Sequence, residues 1–126
     1  MMLFGHRDVP SASFYRIQES ENIAKTPANA PLLFEYNPSL IQYCHANHLI
    51  MAVHVKQIKE LMIAHTLGAN YLIVDKPLVL MAQKIADEYL FDAKILLLSD
   101  NNEEDIEFAA INSIDGILFM RAICSI

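Results

Sequence analysis

Short, almost continuously apolar runs recur along the chain, separated by stretches in which apolar residues return every three or four positions. The runs are Pro31–Tyr36, Leu49–His54, Tyr71–Asp75, Lys94–Ser99 and Gly116–Met120, and Ser13–Ile17 makes a sixth. A strand with one wet face alternates apolar and polar residues, so a run that is apolar throughout predicts a strand buried on both faces. Between the runs, Ser39–Asn47, Gln57–Leu67, Leu78–Leu90 and Glu103–Ser113 each carry one apolar face at helical spacing. Pro38 and Pro77 stand where a first helical turn begins, a place where a missing N–H is harmless. Asp100-Asn101-Asn102 ahead of Glu103-Glu104-Asp105 reads as a cap with acids at the positive end of a helix dipole.

Strand and helix alternate, which predicts an α/β fold with a mostly parallel sheet of five or six strands and right-handed crossovers. No linker or low-complexity stretch interrupts it, so residues 1–126 are expected to form a single α/β domain. The expected arrangement has helices on both faces, a flavodoxin-like three-layer sandwich. The alternative is a half TIM barrel, which would leave one sheet face bare and so require a partner. The expected core comprises Leu33, Ile50, Ala52, Leu61, Leu72, Val74, Leu96, Leu98, Ile106 and Leu118. A faint repeat lays Ile50–Val74 without gaps on Ile95–Phe119, matching Ala64 with Ala109 and Asn70 with Asp115. Shared strand–helix–strand physics accounts for it as well as duplication does.

Composition narrows the function classes. The hydrophobic share is 54% and the charged share 19%, enough for a core and too little charge for a disordered chain. The net charge of −6 argues against a nucleic-acid or anionic-membrane partner, since no basic stripe could neutralise phosphates. No apolar run approaches the roughly 20 residues of a membrane span. Cys44 and Cys124 are the only cysteines and read as reduced thiols, which points to the cytoplasm.

In parallel sheets ligands bind beyond the carboxyl ends of the strands. Here those ends carry Glu35, His54, Asp75, Lys76, Ser99, Asp100 and Arg121, the candidate ligand-binding rim. An imidazole, an ammonium and a guanidinium beside carboxylates could hold and protonate a small anionic metabolite. Polar residues also mark where any strand leaves a core, so the rim has a purely structural reading too. Within it, His54 could act as a base if desolvated, and Lys76 could form a Schiff base if its amine were deprotonated. His45 and His48 stand at a spacing zinc accepts, but no third ligand accompanies them, so no metal is expected. Cys44 falls on an apolar helix face, and Glu103, Glu104, Asp105 and Glu107 read as a solvated one. Gly-rich phosphate loops and the nucleophile-elbow motif are absent, and no cofactor is expected.

Asn37-Pro38-Ser39-Leu40-Ile41-Gln42-Tyr43-Cys44, the strand Leu49–Val53, Ile58-Lys59-Glu60-Leu61-Met62 and Leu67-Gly68-Ala69-Asn70 resemble the second half of the 2-keto-3-deoxy-6-phosphogluconate aldolase family. The likeness runs over residues 36–120, in pattern more than identity. It implies a TIM-barrel relative whose enzymes form a Schiff base with pyruvate-type substrates. The lysine of that chemistry would fall near Ile73, and the phosphate loop at Ser99–Asn102 has no glycine. The expected function is therefore a non-catalytic binding or regulatory module, acting through self-association as a homo-oligomer or through a protein partner. The alternative is an aldolase-like lyase or a binder of a phosphorylated or carboxylated metabolite at the rim.

Overall fold

The computed structural model describes residues 1–126. Eight strands form one sheet: β1 Met2–Phe4, β2 Phe14–Arg16, β3 Leu32–Glu35, β4 Met51–His54, β5 Tyr71–Val74, β6 Lys94–Ser99, β7 Gly116–Phe119 and β8 Ile123–Cys124. Their order is β1-β7-β6-β5-β4-β3-β2-β8, and every neighbouring pair is parallel. Helices α1 Pro38–Ala46, α2 Ile58–Thr66, α3 Lys76–Glu88 and α4 Glu104–Ile111 fill the crossovers from β3 to β7. Between β2 and β3 a 3₁₀ segment, Ser20–Lys25, takes the place of a helix. No helix is long and apolar enough to cross a membrane.

The sheet is curled, and chain connectivity demands it. Strands β7 and β8 are joined by the 3₁₀ turn Met120–Ala122 alone, yet they stand six places apart in the strand order. In a flat sheet, six spacings of about 4.8 Å would part them by roughly 29 Å. The four steps from Phe119 to Ile123 reach at most about 14 Å. The sheet therefore bends until its ends meet: a Cβ on Gly5, just after β1, would lie 2.8 Å from the backbone nitrogen of Ala122, just before β8.

Curling gives the two faces different neighbours. Leu32 and Phe34, Met51 and Val53, Leu72 and Val74, and Ile95 and Leu97 point outward and pack with all four helices. Leu33, Ala52, Ile73, Leu96 and Leu118, the alternate residues, point inward with Phe14. The inner space is filled by aromatic edges. The Phe4 ring lies 4.9 Å from Phe14 and 5.7 Å from Tyr71, centroid to centroid, although their strands are far apart in the order. Both faces of each strand are thus apolar, which is why the runs show no alternation.

The parallel α/β sheet is present, and of the two arrangements expected from sequence the half-barrel is the one adopted. The sandwich is not formed, because every helix sits on the convex face. Nor is the concave face bare: the tight curl lets the protein's own side chains fill it. Most expected core residues are buried, but Leu98 and Ile106 are half-buried and Ile50, one residue ahead of β4, is 36% exposed. The closing strands β1 and β8, three and two residues long, escape a periodicity reading because they are too short to show a period.

All four helices end in the same way. Two residues past each helix the backbone turns left-handed, at His48 (φ 56°), Gly68 (104°), Leu90 (53°) and Ser113 (55°). The next N–H then donates back to the helix: Leu49 to Cys44, Ala69 to Ala64, Phe91 to Ala86 and Ile114 to Ala109, at 2.9–3.1 Å. This is the Schellman closure, and its apolar last residue tucks into the core. Only at Gly68 is a glycine required by space, since a Cβ there would overlap the His45 ring. The repeat seen in the sequence has a structural counterpart here. The Asn70 carboxamide oxygen accepts from the Met51 N–H at 2.8 Å, and the matched Asp115 carboxylate accepts from the Ile95 N–H at 2.9 Å, although the gap-free match pairs Met51 with Leu96, so the donor is shifted by one residue.

Two outcomes follow from the interior and the caps. Phe14→Ala should cost about 3–5 kcal/mol in denaturant unfolding, as expected for a fully buried ring that nothing can replace. Ser113→Gly should raise stability by roughly 0.5–1 kcal/mol, because the exposed Ser113 side chain holds a left-handed conformation that glycine adopts freely.

Candidate functional site at the carboxyl edge of the sheet

Because every strand is parallel, all their carboxyl ends meet at one edge of the curled sheet. Glu35 and His54 are the last register partners of β3 and β4, so their side chains emerge side by side. Asp75 lies two residues beyond Ile73, the β5 partner of His54, and so rises on the same face. The result is an imidazole between two carboxylates. His54 Nδ1 is 2.8 Å from Glu35 Oε2, and His54 Nε2 is 3.3 Å from Asp75 Oδ2. The His54 side chain is 13% exposed, while both carboxylates are more than half exposed. Which ring nitrogen donates at each contact depends on the tautomer of His54. Lys56 adds its ammonium 3.7 Å from Glu35. Asp75 is also the N-cap residue of α3, but its side chain makes no cap bond.

The strand alternation sends the next residues to the other face. Ser99 follows the outward row of Ile95 and Leu97, and its hydroxyl donates to Asp105 Oδ2 at 2.7 Å. Lys76 Nζ donates to Asp105 Oδ1 at 3.0 Å and stands 4.5 Å from the Phe108 ring centroid. Asp105 is therefore a buried, hydrogen-bonded carboxylate in the first turn of α4 and not part of a solvated helix face. Sequence reasoning passed over it because it sits in a run of acids whose other members, Glu103, Glu104 and Glu107, are exposed. The available signal was its position in the first turn of α4, opposite the polar end of β6.

The seven rim residues thus divide. Glu35, His54 and Asp75 form one cluster, and Lys76 and Ser99 form another around Asp105. Asp100 and Arg121 join neither through their side chains. The Arg121 backbone N–H donates to Asn101 Oδ1, and no carboxylate comes within salt-bridge distance of its guanidinium. A third pair lies beyond β1, where His6 Nε2 meets Glu103 Oε1 at 2.6 Å with Arg7 alongside at 3.8 Å. The His6 hydrogen bond, then the Arg7 charge, lower the Glu103 carboxyl below its ordinary range. A lowered carboxyl stabilises the fold above the pH where the unfolded group titrates, and that gain is lost as pH falls through the folded value. Glu103 is exposed, so the effect is screened and small.

Cys44, buried on α1, has its thiol raised to about 11 by desolvation, which leaves it protonated and inert. No group of three or more histidine, cysteine or acidic side chains is placed to hold a metal ion. His45 rests against Gly68, and His48 turns left-handed past the end of α1. The main surface clefts lie away from the Glu35–His54–Asp75 cluster. One opens beside the end of α4, and another between the Ser20 turn and α1. The chain matches no protein-family model and no curated protein.

Asp105 is the group on which this edge most depends. Asp105→Ala should destabilise the fold by about 1–3 kcal/mol, because it removes the short acceptor of the buried Ser99 hydroxyl, leaving that O–H only a 3.4 Å contact to the Asn102 carbonyl, and also removes the partner of Lys76. Lys76→Ala should cost less than about 1 kcal/mol, since that ammonium is half exposed. Denaturant unfolding of both variants checks the ranking.

Proposed function

We propose that this chain is a non-catalytic binding or regulatory module, acting through self-association or a protein partner. The observation that carries the reading is the state of the rim. His54, Lys56 and Lys76 are each already engaged by a carboxylate of the same chain. Among the rim cations only Arg121 makes no close ion pair, so an incoming anion would have to displace Glu35, Asp75 or Asp105 to reach the rest. A second consideration agrees with it: the inner space is packed with Phe4, Phe14 and Tyr71, and large apolar side chains lie on the outside.

A second reading keeps the rim as a site for a phosphorylated or carboxylated metabolite, with an aldolase-like lyase as its catalytic form. The convergence of Glu35, His54 and Asp75 at the carboxyl edge favours it, since that is where parallel sheets carry chemistry. On this reading His54, Lys76 and Arg121 hold the anion, and Glu35 or Asp100 moves protons.

A thermal-shift screen against inorganic phosphate, phosphosugars, 2-keto acids and nucleotides separates the two. A ligand at about 100 times its Kd adds roughly 2.7 kcal/mol, several degrees in a chain of this size. The binding-module reading expects no shift from any of them. A shift that His54→Ala or Lys76→Ala abolishes would replace it with the metabolite reading.

A further inference from the structure

We infer that two copies of this chain pair through the amino-terminal end of the sheet, Leu90 of each seating in the cleft beside α4 of the other. The inference deepens the self-association arm of the binding-module reading and rests on it. Leu90, two residues past α3, is 84% exposed, the most exposed large apolar residue in the protein. It also holds a left-handed backbone (φ 53°), a conformation leucine adopts only at a cost. Tyr89 beside it is 66% exposed, and Ile111, at the end of the neighbouring α4, is 73% exposed. Three large apolar groups therefore face water at the end of the sheet opposite the polar rim.

A receptor for Leu90 lies at the same end. A cleft of about 490 Å³ opens there, with Met2, Ala109, Ala110 and Ile114 among its apolar walls; Lys94 and Asp115 also line it, the Asp115 carboxylate being held by the Ile95 N–H of its own chain. Lys94 follows Leu90 by four residues, so knob and cleft are within about 14 Å along the chain. Adjacent placement of a knob and a hole is what a two-fold interface needs, because one axis between them makes both contacts at once.

Charge selects a second copy as the occupant. Lys94 at the cleft and Asp92, two residues from Leu90, are both exposed, and neither has an ion-pair partner within its own chain. When Leu90 of one copy enters the cleft of the other, Asp92 arrives with it and meets the partner's Lys94. The reciprocal pair forms across the same axis. A chain with net charge −6 would otherwise repel its own copy, so opposite charges at the contact matter more than their number.

Sedimentation equilibrium from micromolar to millimolar concentration tests this. The expected mass is twice the 14.3 kDa of one chain. Leu90→Gly should weaken association at least about tenfold. It should not harm the fold, because the replaced side chain is exposed and glycine suits its backbone. Lys94→Asp should weaken it similarly, and the exchange Asp92→Lys with Lys94→Asp should restore it. A monomer throughout the range, a larger assembly, or a dimer indifferent to Leu90→Gly and Lys94→Asp would each overturn the inference. A monomer that also gives no shift in the metabolite screen leaves the module reading standing through a protein partner. A rim ligand found in that screen defeats the module reading itself.

Discussion

The short link between β7 and β8 governs this structure. Three residues of 3₁₀ turn connect strands that lie almost at opposite ends of the strand order, and no flat sheet can satisfy that connection. Curvature follows, and from curvature follow a convex face that takes every helix and a concave face too small for anything but side chains. A full eight-unit barrel closes with eight strands, eight helices and an interior filled by layers of side chains. Here four helices and short strands suffice because the interior is narrowed to a few rings and branched aliphatics.

The same geometry divides the polar edge. Side chains alternate across a strand, so consecutive residues at a strand end go to opposite faces. Asp75 turns toward His54 while Lys76, its neighbour, reaches Asp105. What looks in the sequence like one ring of polar residues is two bonded clusters, one continuing the inner rows and one buried under α4. Each cluster pairs its charged groups within the chain.

Much of the fold was legible in the chain because burial on both faces leaves a simple trace. The runs at Leu32–Glu35, Tyr71–Val74 and Lys94–Ser99 are apolar in both rows, and the helices between them show their faces at regular spacing. Curvature was not legible, since a curled sheet and a flat one bury strands alike. It depends on β1 and β8, whose few residues carry no period. The site was legible only as a list. Positions at strand ends follow from strand boundaries, but partners follow from register, and the pairing of Glu35 with His54 is a fact about register. Asp105 was hidden for the opposite reason, since its neighbours in sequence share its charge and not its surroundings.

The meeting of the two ends of the sheet also bears on how the chain folds. The pairings from β3 to β7 join strands that are neighbours in sequence, so each unit can form from nearby residues. The pairings of β1 with β7 and of β2 with β8 join residues separated by nearly the whole chain. Loop-closure entropy opposes those contacts until the intervening units are in place. Chain topology therefore favours the central units forming first and the pairings at the two ends of the sheet last. Until then the inner aromatic faces stay open to water. The last pairing to form is the one that makes the interior dry.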